Sequence, residues 1–78
     1  MKDVQTRVQE CISIRSKLQS LGVLTLPEVA TTLTLQMNDY VRTGERTSYT
    51  FKTHEHGVEL RVILDSREQK QSGIEMMK

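Results

Sequence analysis

His54, Glu55 and His56 place two imidazoles and a carboxylate in three consecutive positions. Two imidazoles can hold zinc or copper, but a structural zinc site normally takes four ligands. Cys11, the only cysteine, is far away along the chain. The H-x-H pair therefore reads as an exposed turn in which Gly57 supplies a positive φ, the alternatives being a metal shared between subunits and a metal-dependent activity centred on His54 and His56. No metal and no cofactor is expected. Cys11 falls on an apolar helical stripe. A thiol nucleophile needs a base beside it and some access to solvent, and nothing in the sequence brings either histidine there, so a buried structural thiol is expected. Asp39, Glu45, Glu55, Glu59 and Asp65 show no paired-carboxylate spacing, and the four glycines stand alone, which leaves no phosphate-cradling loop. No catalytic residue emerges, and the chain is expected not to be an enzyme.

Arg42, Arg46, Lys52 and Arg61, with Arg67 beyond them, are the residues that could meet phosphates, helped by Tyr49 or Phe51 stacking on bases. Acids are interspersed among them. Eleven basic against ten acidic side chains give a net charge of +1, which makes no strong polyanion binder by bulk charge. A solvated mixed-charge surface is expected, with nucleic-acid binding through these four residues as the alternative.

The elements that must position these groups are legible from periodicity. Residues 47–53 and 58–64 alternate apolar with polar around the loop His54–Gly57. Pairing Thr53 with Val58 sets Phe51 opposite Leu60, Tyr49 opposite Val62, Thr47 opposite Leu64 and Lys52 opposite Glu59. One register thus satisfies apolar pairing, charge pairing and loop length, which predicts an antiparallel β-hairpin with Tyr49 and Phe51 on the core face. Val4, Val8, Cys11, Ile14, Leu18 and Leu21 recur every three or four residues and predict a helix over 3–21, stopped by Gly22. Thr25-Leu26-Pro27-Glu28 reads as a capping box. It opens a second helix to about Thr43, with Val29, Leu33, Met37 and Tyr40 inward and Gly44 as its stop. Thr31, Thr32 and Thr34 are poor helix formers, so packing must hold it. The fold class is α+β: one domain over residues 1–66 in the order α-α-β-β, an antiparallel helix pair packed against the hairpin. Residues 67–78 read as a polar tail, flexible unless bound.

A chain of 78 residues buries only roughly 60% of its unfolded surface and gains stability from helpers such as oligomerisation. A two-stranded sheet is marginal in water, and its edges are templates for another strand. Apolar residues off the core stripes mark where a partner would sit: Ile12, Ile63, and in the tail Ile74, Met76 and Met77. No apolar run resembles a signal peptide or a membrane span, so the expected setting is intracellular or within a virion, without membrane partners.

The run Tyr40-Val41-Arg42-Thr43-Gly44-Glu45, followed by Val62-Ile63-Leu64-Asp65-Ser66-Arg67, resembles small accessory or virion proteins of large DNA viruses, over residues 37–67. The resemblance implies a viral accessory or virion component and carries no functional residues. The expected function is a small non-catalytic protein–protein interaction or assembly protein, acting as a homo-oligomer or as a subunit of a larger complex.

Overall fold

The structure is a computed structural model that describes residues 1–53 and 57–77. His54, Glu55 and His56 lie outside the described residues, and so does any statement on that loop's chemistry. Two helices come first, α1 (Val4–Ser20) and α2 (Pro27–Thr43), joined by a short 3-10 turn, Val23–Thr25. Three strands follow, β1 (Thr47–Thr53), β2 (Val58–Leu64) and β3 (Gly73–Met76), in one antiparallel sheet of order β1-β2-β3.

α1 starts at Asp3, whose carboxylate accepts the Thr6 N–H at 2.8 Å and so satisfies an end donor. It ends where Gly22 turns left-handed (φ +78°), as its sequence position predicts. The inward stripe differs from expectation. Arg7, Cys11, Ile14 and Leu18 are buried, whereas Val4 and Leu21 are exposed. Arg7 takes the place expected of Val4 and Val8 because its guanidinium donates to the carbonyls of Lys2 and, at 2.9 Å, of Val41, while its stem packs inward.

The capping box does not form. Thr25 belongs to the 3-10 turn and donates its hydroxyl to the Gly22 carbonyl at 3.0 Å, and the α2 N-cap is Leu26, with Pro27 opening the first turn. The predicted stripe of α2 is buried in full, joined by Gln36. Contacts of Arg7 with Val41 and of Arg15 with Thr34 set the helices antiparallel.

The β1–β2 register is the predicted one at every position. The third strand was not predicted. Gly73–Met76 turns the supposed tail back onto β2, pairing Ile74 with Val62 and Met76 with Leu60. The reason is that β2 is Val-, Leu- and Ile-rich and would otherwise leave its second edge unpaired. α2 packs on β1 and α1 on β3, so helices cover one face of the sheet. Leu18, Leu33, Tyr40, Leu60, Val62 and Leu64 are wholly buried between the layers.

Candidate interaction surface

Polar groups converge around Lys2 and Asp65. The Lys2 ammonium donates to Glu10 Oε2 (2.7 Å) and to the carbonyls of Asp65 (2.9 Å) and Lys70 (2.7 Å). The Tyr40 hydroxyl donates to Glu10 Oε1 at 2.6 Å. Buried Asp65 takes both arms of Arg67, at 2.7 and 3.0 Å, with Arg46 at 3.5 Å, and Ser66 donates its hydroxyl to the Gly44 carbonyl. Arg67 beside it holds the Asp65 carboxyl far below the usual range. Burial pushes Glu10 up, but bonds from Lys2 and Tyr40 outweigh it and leave the carboxyl below its ordinary value. Burial, and then the bond to Glu10, pushes the Tyr40 phenol up, so it stays protonated. Every ionised group here has its proton or partner committed inside the cluster. The arrangement ties the start of α1 to the 65–70 loop, a structural role.

Cys11 is buried, and burial with the neighbouring Glu10 charge pushes its thiol up to about 11. Such a thiol is a poor nucleophile. Among the described residues no group of three or more His, Cys, Asp and Glu side chains could hold a metal ion, and no described helix is long and apolar enough to cross a membrane.

The four basic residues do not gather on one face. Arg42, on the last turn of α2, pairs with Asp39 at 3.0 Å, and Arg46 lies on Asp65. Lys52 and Arg61 share the outward face of the sheet, but Lys52 stands opposite Glu59 and Arg61 reaches Glu75 at 3.8 Å.

The expected interface residues also divide. Ile74 packs against the chain's own core. Ile63, on the outward sheet face, is half-buried between Ser48 and Gly73. Ile12, Met76 and Met77 are exposed. Ile12 lines a groove of about 350 Å3 between the helices, together with Val8, Met37, Val41, Arg15 and Arg42.

Two exposed apolar residues of α2 and β1 escaped the sequence reading. Leu35 is 62% exposed, and Tyr49 is 41% exposed although its cross-strand partner Val62 is 0% exposed. Leu35 falls off the 29-33-37-40 stripe, a signal already present in the sequence. Tyr49 sits on the predicted core face of the edge strand β1, yet it stays exposed where Phe51 on the same face is buried. Its ring rests against Phe51, centroids 4.7 Å apart. The outer edge of β1 pairs with no strand among the described residues over all seven of its residues. β1 carries one charge, Lys52, and no proline, so it has few of the devices that protect edges.

No protein-family model, no curated protein and no solved structure matches this chain.

Proposed function

We propose that this chain is a small non-catalytic protein–protein interaction or assembly protein, working as a homo-oligomer or as a subunit of a larger complex. One observation carries the reading: a seven-residue edge strand that pairs on its outer side with no strand among the described residues and carries a half-exposed aromatic ring, Tyr49. An open edge supplies backbone donors and acceptors in a fixed row, and a neighbouring apolar side chain adds burial, which is how strand addition binds. The inert Cys11 thiol and the internally paired carboxylates support a non-catalytic role. The likeness of residues 37–67 to small accessory or virion proteins of DNA viruses suits an assembly component. Ion pairs of Arg42, Arg46 and Arg61 with acids, and Glu59 opposite Lys52 across the strands, speak against nucleic-acid binding through Arg42, Arg46, Lys52 and Arg61.

The test is hydrogen exchange across β1 in the isolated chain and in a complex recovered from its native source. Slowed exchange of the outward β1 amides on complex formation is the expected result. Unchanged β1 exchange in a stable complex overturns the edge as the contact.

A further inference from the structure

Resting on that reading, we infer that the partner of the β1 edge is a second copy of β1, paired antiparallel about a two-fold axis at Thr50. The argument begins with self-complementarity. Centring the pair on Thr50 sets Tyr49 opposite the second copy's Phe51, twice, and Ser48 opposite its Lys52, twice. The four rings then form one contiguous cluster on the helix-covered face, where Tyr49 and Phe51 already touch. Centring on Tyr49 instead brings Arg46 opposite the second copy's Lys52, a like-charge pair that is destabilising across strands. A slip by a single residue sends Tyr49 and Phe51 to the polar face of the other sheet and separates the two helix layers. The Thr50 register avoids both faults and continues the sheet from three strands to six.

A stable interface buries on the order of 1,200–2,000 Å2 in total, more than one strand edge offers alone. A second contact, from α2, is required. Thr34 and Met37 define its α1-facing side through their side-chain bonds from Arg15. At 3.6 residues per turn, Leu35 is rotated away from that side. It therefore lies on the solvent side of the helix that packs on β1, on one stripe with Glu28 and Asp39, and a two-fold axis perpendicular to the sheet beside the β1 edge brings the second copy's α2 to the same side. Leu35 and Tyr49, the two exposed apolar residues on this side, are then covered together.

Cross-linking in the full chain tests the register. Paired Cα atoms in an antiparallel ladder lie about 4.5–5.5 Å apart, within the range a disulfide spans. Under mild oxidation Thr50→Cys is expected to give a covalent dimer in high yield. Ser48→Cys, with its copy about 13 Å away along the strand, is expected to give little. Sedimentation across concentration supplies the second readout. Tyr49→Lys, at a side chain the single chain leaves exposed, is expected to raise the dimer dissociation constant at least tenfold with an unchanged circular-dichroism spectrum. A wild-type dimer that resists Thr50→Cys cross-linking but dissociates on Ile12→Asp overturns the proposal and leaves the assembly reading standing on the helix groove. A wild-type chain that stays monomeric at 100-fold excess over working concentration overturns the proposal as well, and leaves only unlike partners for the assembly reading.

Discussion

Single side chains decide how this small protein responds to acid and to reagents. Asp65 carries the largest burden, because it is buried and ionised against Arg67 and Arg46. A carboxyl whose folded-state value is depressed contributes stability that is present above its unfolded value, near pH 4, and is lost as pH falls towards the folded value. Wild-type stability is therefore expected to decline below about pH 4. Asp65→Asn is expected to be less stable than wild type at pH 7, with the gap narrowing on acidification. Urea midpoints at pH 7 and pH 3 check this, and a gap independent of pH would assign the role of Asp65 to shape and not to charge. Cys11 gives the second expectation at this scale. Buried, and with its thiol pushed up to about 11, it should resist thiol reagents at pH 8 in the native state and react fully in denaturant. Rapid native modification, followed by mass spectrometry, contradicts the burial.

At the scale of elements, the hairpin is the best test because its register is so specific. Phe51 is buried opposite Leu60, while Thr50 faces out. Phe51→Ala is expected to cost about 3–5 kcal/mol, and Thr50→Ala to stay within roughly 0.5 kcal/mol in the monomer. Thermal melts separate the two, and equal losses would shift the register by one residue. The same elements show what the sequence made legible. Two helices, the hairpin and its register followed from period and charge, because each signal is local. The third strand did not. Ser72-Gly73-Ile74-Glu75-Met76 is too short and mixed to announce a strand, and only an unpaired edge of β2 calls for it. Ile74→Ala is expected to cost about 1–3 kcal/mol through lost contact with the core, where a frayed tail would lose nothing. The candidate surface was half legible for the same reason. Ile12 stood off its helical stripe, but the exposure of Tyr49, beside a buried Phe51 on the same face, is a tertiary fact. The Lys2–Glu10–Tyr40 and Asp65 clusters join residues up to 68 positions apart, beyond any motif.

For the whole molecule, charge is spread and neutralised locally, with a net of +1. Non-specific affinity for nucleic acid requires several phosphates to be neutralised together. Binding to mixed-sequence DNA or RNA is therefore expected to be no tighter than about 10⁻⁵ M near physiological salt. Submicromolar binding with a steep salt slope would restore the nucleic-acid reading. The polar cluster at Lys2 also has a kinetic consequence. Each hairpin, α1–α2 and β1–β2, closes locally, on the microsecond scale of such elements. Lys2, however, meets Asp65 across 63 positions of chain, and such long closures come late. Lys2 is therefore expected to dock after the folding barrier is crossed and to be released before the unfolding barrier is crossed. Lys2→Ala should leave the refolding rate nearly unchanged and raise the unfolding rate about tenfold, taking its bonds as worth about 1.4 kcal/mol together. Stopped-flow rates in urea would show this as a shift of one limb only, making Lys2 a governor of how long the native state lasts and not of how fast it is reached.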